Sequence, residues 1–404
     1  MLGLVRLERR GRMRLHRLAE YELAKPAQDS VIEIGQDCTP SPLAGSPLAY
    51  FLQHLRIEFR RDVMSLTETP QLWASRPELV QTTSADVDEH CAQLGGWCLT
   101  YDQISAGAFR GSFTQLTLSR LELFREVTSQ QVRQCGQLGR DSFGIAVPWR
   151  GEGPVNVNGI GIGEDALIVS FDADIDISTP RSFELRGVTL SARQVEEMAT
   201  RLAIELPRDL RHRMRAVAAP AAARARFRTA LTAIDVLLSA PTSTLPQNGR
   251  TGDMLQDSLL LAITDLLPDA RPCDDTRSGA ARKRIVDRAC ELMLATTDTP
   301  VSLLDLCKAV GASRRKLSYC FQDVLGTSPL NYWRAVRLNR VRRDLKSLHD
   351  PRDGIYDIAV RHGFWHFSQF SLDYKRHFAE LPSETLRRTR MDASSELRHN
   401  ASHH

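Results

Sequence analysis

The sequence predicts an α+β protein with a β-rich N-terminal part, in which helices follow the strands, and an all-helical C-terminal part. Three observations predict this arrangement. Short apolar runs separated by glycine and proline lie between residues 85 and 190, helical periodicity follows over 191–267, and a repeated helix-turn-helix pattern fills 281–390. A chain of 404 residues is also longer than one ordinary core requires, so more than one domain is expected.

The composition bounds the class of protein. With 42% hydrophobic and 25% charged residues the chain is typical of a soluble globular protein, and no apolar run approaches the roughly 18 residues of a membrane span. Eight cysteines are scattered without a C-x-x-C pair, and no secretory apolar segment stands at the start. We therefore predict a cytoplasmic protein with reduced thiols and no membrane partner.

The basic charge is concentrated in the last quarter of the chain. The whole sequence has a net charge of +4, whereas residues 281–390 hold 21 Lys and Arg against 12 Asp and Glu, a net charge of +9. The remaining residues therefore carry 4 − 9 = −5. This asymmetry indicates that the last quarter binds a polyanion, although solvated helices are often basic as well.

The two ends and the domain boundary are poor in apolar periodicity. Residues 1–40 carry seven Lys and Arg with six Asp and Glu, and we predict a poorly structured extension there. Its acidic residues argue against a targeting peptide. A sensor or dimerisation domain is predicted over 41–267, a linker rich in turn formers over 268–280, and a flexible tail over 391–404.

The β-rich segment has the spacing of a sandwich or barrel of short strands. Its apolar runs lie at 113–118, 143–147, 166–171 and 183–188. No helical segment follows the glycines at 159–163, so they indicate hairpin turns rather than a dinucleotide-binding loop. Helices are predicted at 191–207, 221–240 and 252–267. They would cover the sheet or mediate self-association, and we predict a homodimer.

Two copies of one pattern occupy the basic quarter, at 303–329 and 355–382. Asp305 corresponds to Asp357 and Gly311 to Gly363 at an offset of 52 residues, and beyond the turn the offset becomes 53. Each copy predicts a short helix, a turn with glycine at positive φ, and a second helix, the order of a helix-turn-helix unit. A single helix over 329–348 joins the units, with Leu330, Trp333, Val341 and Leu345 predicted to face the core.

The second helix of each unit has one apolar and one polar face. Inward rows are Leu317, Phe321, Val324 and Leu325 in the first unit, and Phe370, Tyr374 and Phe378 in the second. The outward faces predict base reading in the major groove of double-stranded DNA by Arg314, Arg315, Ser318, Tyr319 and Gln322, and by His366, Ser368, Gln369, Ser371 and Leu372. Phosphate contacts are predicted for Arg334, Arg337, Lys375 and Arg376. A rigid connecting helix predicts a bipartite site, and the alternative is a merely solvated helix surface.

These residues resemble the AraC/XylS family of bacterial transcription regulators. The resemblance lies in the two units, the aromatic row, the pair Gly363-Phe364 and the G-x-S-P-x-x-Y sequence that contains Gly326 and Tyr332. It covers about 110 residues, 281–390, and implies a monomeric DNA-binding domain that inserts both recognition helices into successive major grooves.

The sequence departs from the family pattern in the second unit. Ala379 replaces the closing glycine, Thr385 replaces an aromatic residue, and Leu372-Asp373 lie where an arginine is common. These departures leave the predicted fold in place and affect which bases the second helix reads. Since Asp373 would repel a phosphate, we expect it to cap or pair internally.

The sequence GFWHFSQF and the preceding β segment resemble the ethanolamine-regulator type of this family. The resemblance implies an effector or dimerisation domain of cupin-like shape, and it leaves open a contact with RNA polymerase. Family members that repair alkylated DNA use a proline-preceded cysteine in a metal-binding cluster, which this sequence lacks.

Enzymatic chemistry has little support in the sequence. No histidine lies between Cys91 and Arg211, and neither a G-x-S-x-G motif nor a P-loop occurs, so we predict no catalytic residue, cofactor or metal site. The alternating run that contains Asp172, Asp174 and Asp176 predicts a strand that ends in a turn, with calcium binding as the alternative. Cys91 and Cys98 are interpreted as buried small hydrophobes, with a redox switch as the alternative.

An effector site in the β-rich part would use its large aromatic side chains. We predict Trp97, Tyr101, Phe113 and Trp149 as contacts of a small-molecule effector. Two further interpretations stay open: a ligand-independent DNA-binding dimer whose β-rich domain only oligomerises, and an enzyme with an appended DNA-binding module.

Overall fold

The structure is a computed structural model that describes residues 78–95, 97–139, 141–204, 211–239, 249–273, 277–295, 302–347 and 354–401. The extension predicted over 1–40 lies outside the described residues. The predicted fold class is confirmed: strands dominate to residue 218, helices follow, and residues beyond 277 are helical.

Thirteen strands form one continuously hydrogen-bonded sheet within the described residues. They are β1 Glu78–Ser84, β2 Cys98–Gln103, β3 Gly111–Thr117, β4 Glu122–Thr128, β5 Val132–Gln137, β6 Ser142–Arg150, β7 Val155–Val157, β8 Ile160–Ile162, β9 Leu167–Ser178, β10 Phe183–Ser191, β11 Arg211–Arg213, β12 Arg215–Ala218 and β13 Arg271–Pro272. The main order is β1-β3-β4-β10-β6-β9-β12-β13.

The long strand β9 joins two layers of this sheet. Its first half, residues 167–171, pairs with β6 and β12, whereas its second half, residues 174–178, pairs with β5 and β7. Of the glycines predicted to mark hairpin turns, Gly159 does so: Asn158 and Gly159 connect β7 to β8 with φ of 50° and 89°, the conformation that a two-residue hairpin requires. Gly161 instead lies within β8. Through this change of partners along β9, one hydrogen-bonded sheet forms two layers, in line with the sandwich or barrel that the strand spacing predicts.

Two hydrophobic cores flank the sheet. One lies between its layers and contains Tyr101, Phe113, Phe124, Val132 and Ile177. The other lies between the opposite sheet face and the helices. The helices of this part are α1 Val87–Ala92, α2 Ala192–Arg201, α3 Ala221–Leu231, α4 Ala233–Ser239 and α5 Gly249–Leu266. Four of them therefore cover the sheet, as their apolar periodicity predicts.

The C-terminal part contains both predicted helix-turn-helix units. Its helices are α6 Arg277–Ala295, α7 Leu303–Val310, α8 Arg314–Leu325, α9 Pro329–Ser347, α10 Ile355–Arg361, α11 Phe367–Phe378 and α12 Pro382–Ala401. Helix α9 contributes Trp333 and Val336 to the core of the first unit, and Leu338, Val341 and Leu345 to the core of the second. One connecting helix therefore belongs to both cores.

Several boundaries and one buried position differ from the predictions. The helix predicted over 221–240 breaks at Thr232, whose hydroxyl donates to the Thr229 carbonyl and competes with the helical backbone bond. The prediction that Leu330 faces the core is wrong. Leu330 is 48% exposed, because residues one turn further along α9 face the core instead.

The predicted linker and tail are shorter than expected. Within 268–280, Arg271 and Pro272 pair with β12, and α6 begins at Arg277. Beyond 390, α12 continues to Ala401, since neither glycine nor proline interrupts the sequence that follows its first residue.

Candidate nucleic-acid interface

The first unit is shaped by three short sequence signals. The Ser302 hydroxyl accepts from the Asp305 backbone N–H and the Asp305 carboxylate accepts in return, which begins α7. Gly311 ends that helix at φ 63°, a left-handed conformation that glycine adopts without strain. The Ser313 hydroxyl then accepts from the Lys316 N–H and begins α8. The turn that aims the recognition helix is thus encoded locally.

The predicted reading face of α8 points to solvent. Leu317, Phe321, Val324 and Leu325 are buried as predicted. Arg314, Arg315 and Gln322 are exposed, Tyr319 is 59% exposed, and Ser318 is half-buried. The structure therefore places all five predicted base-reading residues on one accessible surface.

The second unit repeats this arrangement with different chemistry. Gly363 lies at φ 76° in the turn, and Phe370, Tyr374 and Phe378 form the predicted buried row of α11. The predicted base-reading residues His366, Ser368 and Gln369 are exposed, Leu372 is 64% exposed, and Ser371 is partly exposed. Their surface carries hydroxyl, amide, imidazole and apolar groups instead of guanidinium groups.

Asp373 is buried within the second unit and pairs internally, as expected. Its Oδ1 accepts from Gln369 Nε2 at 3.1 Å and from Arg376 Nη2 at 2.9 Å. Arg334 lies 3.6 Å from its other oxygen. The carboxylate is therefore turned away from the reading face, and it orients Gln369 on that face.

The four predicted phosphate contacts fall into two groups. Arg334, Lys375 and Arg376 are exposed, and the guanidinium groups of Arg334 and Arg376 also approach the Asp373 carboxylate. Arg337 differs from the prediction: it is half-buried, its Nη1 donates to the Gly363 carbonyl at 3.0 Å, and its guanidinium lies 4.5 Å from the Phe364 ring centroid. Burial lowers the pKa of Arg337, with Arg334 acting in the same direction. Arg337 therefore supports the turn of the second unit.

Residues that sequence reasoning missed join the β-rich part to α9. Burial acts to raise the pKa of Asp86, but Arg342 and Lys346 outweigh it and hold that pKa at about 2. Arg342 Nε approaches Asp86 at 2.5 Å, and Lys346 Nζ donates to the same carboxylate at 2.8 Å. These cations belong to an arginine-rich helix in the sequence, which gives no sign of their distant acidic partners.

Arg343 makes a second set of contacts between the two parts. Its Nε donates to Asp88 at 2.6 Å, and its Nη2 donates to the Tyr101 carbonyl at 2.6 Å and to Asp102 at 2.9 Å. The acidic partners lie on α1 and β2. Two cationic side chains next to each other in α9 are therefore engaged by the β-rich part rather than free for a phosphate.

The predicted effector contacts are separated by the structure. Tyr101 and Phe113 are buried in the core between the layers, and Trp97 packs against that core. Trp149 lies against the other core, between Arg186 and Arg228, whose guanidinium groups are 3.9 and 4.3 Å from its ring centroid. The four side chains thus do not line one cavity.

A buried polar cluster surrounds Tyr101. Its hydroxyl donates to Glu126 at 3.0 Å, and the same carboxylate lies 3.0 Å from Nε2 of His90, which also contacts Ser84. His90 directly precedes the histidine-free stretch that begins at Cys91, so it is not among the residues predicted from the sequence. The cluster satisfies buried polar groups within the core.

Cys91, Asp174 and Asp176, three of the residues for which redox or calcium chemistry is the alternative, have structural partners. Cys91 donates to the Leu99 carbonyl, and burial raises its pKa to about 11, which keeps the thiol protonated. Cys98 is exposed on β2, so its prediction as a buried residue is wrong, because its side chain points out of the edge strand. Asp174 accepts from Gln137, and Asp176 pairs with Arg133 and Lys283.

No three His, Cys, Asp or Glu side chains among the described residues are grouped so as to hold a metal ion. Over the same part of the chain, each helix is too short or too polar to cross a membrane.

The fold and the exposed faces define a class: two helix-turn-helix units on a shared helix, joined to a β-rich domain. A family model described as a helix-turn-helix domain matches residues 306–388. The XylDLEGF operon transcriptional activator 2 of Pseudomonas putida is 31% identical over 115 residues, which cover 27% of this chain and 73% of that protein. The chain belongs to the AraC/XylS family of transcription regulators.

Two further relatives cover a similar share of the chain. The probable thc operon regulatory protein of Rhodococcus erythropolis is 35% identical over 103 residues, which cover 26% of this chain but only 31% of that protein. A solved structure of a Chromobacterium violaceum transcriptional regulator, described as having an AraC-type DNA-binding domain, is 34% identical and covers 27% of this chain and 96% of that one, with a TM-score of 0.25. The chain therefore spans less than a third of the length of the first of these two relatives.

Proposed function

We propose that the chain is a sequence-specific DNA-binding transcription regulator that recognises a bipartite operator. The observation that carries the proposal is that both recognition helices expose a polar face while α9 belongs to the cores of both units. Helix-turn-helix readers of one DNA face are separated by about 34 Å, one helical turn of DNA. A shared rigid helix supports such a fixed separation.

The two faces divide the work of recognition. In the first unit Arg314 and Arg315 offer bidentate donors suited to guanine, with Ser318, Tyr319 and Gln322 beside them. In the second, Gln369 suits adenine and Leu372 suits the methyl group of thymine. Arg334, Lys375 and Arg376 provide contacts to phosphates, which position the domain without reading sequence.

The test is selection of bound DNA by the full-length protein. The protein is titrated against a genomic DNA pool at increasing salt, and the bound fragments are sequenced. We expect an enriched motif of two half-sites about one helical turn apart. Binding without an enriched motif, or loss of all binding at moderate salt, would overturn the proposal and move the function to the β-rich domain.

An effector is the proposed regulator of this activity. The predicted aromatic contacts are packed in two cores, whereas a cavity of about 500 Å³ lies between the β-rich part and the helix-turn-helix part. Arg133, Asp176, Lys283 and Tyr332 are among its lining residues. A small polar molecule fits this size and chemistry.

A ligand screen separates this proposal from its alternative. A bound effector must raise the melting temperature as its concentration increases, by mass action. If no small molecule does so while operator binding persists, the β-rich domain acts only in oligomerisation, the second candidate function. A homodimer, to be measured by sedimentation, and a contact with RNA polymerase belong to either version. We assign no catalytic role to the chain.

A further inference from the structure

The C-terminal end of the first recognition helix contacts the β-rich domain. Gln131, at the turn before β5, donates from its Nε2 to the carbonyl of Leu325, the last residue of α8, at 2.7 Å. The next residue, Gly326, lies at φ 64°, and a Cβ atom there would stand 3.1 Å from the same Nε2. The absence of a side chain at Gly326 therefore leaves room for Gln131 at the end of α8.

The C-terminal end of the second recognition helix contacts the same region. His377, in the last turn of α11, donates from Nε2 to the Gln103 carbonyl at 3.0 Å. The His377 carbonyl in turn accepts from the Gly107 N–H at 3.0 Å and from Gln103 Nε2 at 2.8 Å. Because the Nε2 of Gln103 faces only carbonyl oxygens, its amide has one consistent orientation. This contact is buried and directional.

These two contact points are parts of one structural unit. The Gln131 carbonyl accepts from the Ile104 N–H at 2.8 Å, and the Gln131 N–H donates to the Ser105 hydroxyl at 2.8 Å. Ile104 is also buried in the apolar core of the first helix-turn-helix unit. We call residues 103–107 together with 130–131 the brace. It bridges the C-terminal ends of both recognition helices.

The connecting helix is held by the brace as well. Asn339 of α9 accepts from the Gln103 N–H at 3.2 Å and donates to the Gln103 carbonyl at 2.9 Å. Asn339 is fully buried and Gln103 is 1% exposed. The brace therefore contacts every element that determines the separation of the two reading faces.

The direction of these contacts indicates which state they stabilise. The brace holds the C-terminal ends of α8 and α11, whereas Arg314, Arg315, Ser368 and Gln369 lie at the opposite, N-terminal ends and are exposed. Recognition helices contact base edges mainly through their N-terminal residues. The docked β-rich domain thus lies behind the reading surface and leaves it open.

We propose that the docked arrangement is the form that reads DNA, and that Gln103, Asn339 and His377 are positioning residues that fix the spacing between the two half-sites. The inference rests on the proposed function and adds the part of the β-rich domain that governs it. Loosening the brace weakens operator binding and reduces the preference for one spacing, and it leaves the phosphate contacts intact.

The experiment uses the full-length chain with His377→Phe, which keeps a ring but removes the donor to Gln103. Affinity is measured for the selected operator and for versions with one or two base pairs inserted between the half-sites. We expect about tenfold weaker binding of the selected operator, the effect of one lost buried hydrogen bond, and a smaller penalty for the insertions than in the wild type. Binding to unrelated DNA stays unchanged.

Three further variants keep the result interpretable. His377→Gln retains a donor near the position of Nε2 and should restore both affinity and spacing preference. Asn339→Leu removes the contacts of α9 to Gln103 and should reproduce the effect of His377→Phe. His362→Phe is the matched control, because His362 contacts Asp344 within the helix-turn-helix part at 2.8 Å, and it should leave spacing preference unchanged.

Each other outcome rejects a particular statement. Tighter operator binding by His377→Phe would mean that the docked state is inhibitory. Unchanged affinity and spacing preference in both His377→Phe and Asn339→Leu would show that the brace has no positioning role, although the regulator function would stand. Absence of any preferred operator for the wild type would reject the regulator function itself, and this inference with it.

Discussion

The two helix-turn-helix units share one backbone plan but carry their positive charges at opposite ends of the recognition helix. Helix α8 has Arg314, Arg315 and Lys316 in its first turn, whereas α11 has Lys375 and Arg376 in its last turn. The positive end of a helix dipole is its N-terminus, so cations are unfavourable in the first turn and favourable in the last.

This difference separates a functional constraint from a structural one. The cations of α8 oppose the helix dipole and are compensated when an anion approaches, which is expected of residues placed for a nucleic acid. The cations of α11 stabilise their own helix, and Arg376 also pairs with Asp373. On the proposed function, we therefore expect Arg314 and Arg315 to add electrostatic attraction at the reading face of the first unit, whereas the reading face of the second unit acts through shape and hydrogen bonding.

The largest expected effect tests whether the two units fold together. Phe321→Ala and Phe370→Ala each remove a fully buried ring from one of the two cores, and each should lower the free energy of unfolding by about 3–5 kcal/mol. Because α9 belongs to both cores, urea unfolding followed by circular dichroism should show one transition for the helical part in each variant. Two separate transitions would show that the units are independent.

The next effect is a pH dependence that belongs to the second unit. Burial, aided by Arg342 and Arg376 and opposed by Asp373 and the Gln103 carbonyl, lowers the pKa of His377 from 6.5 to about 4. The unfolded chain therefore binds more protons between these values, so stability is lost as the pH falls from about 6.5 to 4, by about 3 kcal/mol at most.

A matched substitution assigns this pH dependence. The corresponding residue of the first unit is Val324, and His377→Val should flatten the dependence of unfolding free energy on pH over that window. An unaltered slope in the variant would place the titrating group elsewhere.

A smaller effect compares the two reading faces. Arg315→Ala should weaken operator binding by about 1–3 kcal/mol and relax preference at one base pair, whereas Gln369→Ala should cost nearer the lower limit. Arg334→Ala should instead weaken binding on all sequences alike and reduce the salt slope by about 1. Competition assays at several salt concentrations distinguish these patterns, and identical behaviour of all three variants would contradict the division of roles.

The smallest expected effect concerns the C-terminal ends of the two recognition helices. Ala379 lies at φ 61° where the first unit has Gly326 at φ 64°. A side chain at positive φ is strained, so Ala379→Gly should stabilise the protein by about 0.5–1 kcal/mol, and Gly326→Ala should destabilise it by a similar amount or more. Thermal unfolding of both variants measures the change in stability. A change of the same sign in both variants would show that the local backbone conformation does not determine the effect.

Local features of the sequence predict the units well. The repeat, the caps at Ser302 and Ser313 and the apolar rows of α8 and α11 depend on residues within a few turns of each other, so their periodicity determines them. The exposed reading residues follow from the same rows.

Long-range contacts explain what the sequence could not predict. Arg337 and Arg342 occur in one basic helix, yet the first supports Gly363 and the second pairs with Asp86, more than 250 positions away in the chain. Trp97 and Trp149 are both predicted as effector contacts, and only the strand order shows that Trp149 lies against the other core. Burial of His90 likewise depends on Glu126, a partner that helical or strand periodicity does not reveal.

The contacts of α9 along strand β2 also protect an edge of the sheet. Strand β2 pairs with β5 on one side, and along its other side Arg343 and Asn339 occupy the Tyr101 carbonyl and the N–H and carbonyl of Gln103. Unpaired backbone N–H and carbonyl groups at the edge of a sheet can pair with strands of other chains. We expect a β-rich domain separated from its helices to expose this edge, beside the exposed thiol of Cys98, and to self-associate through added strands.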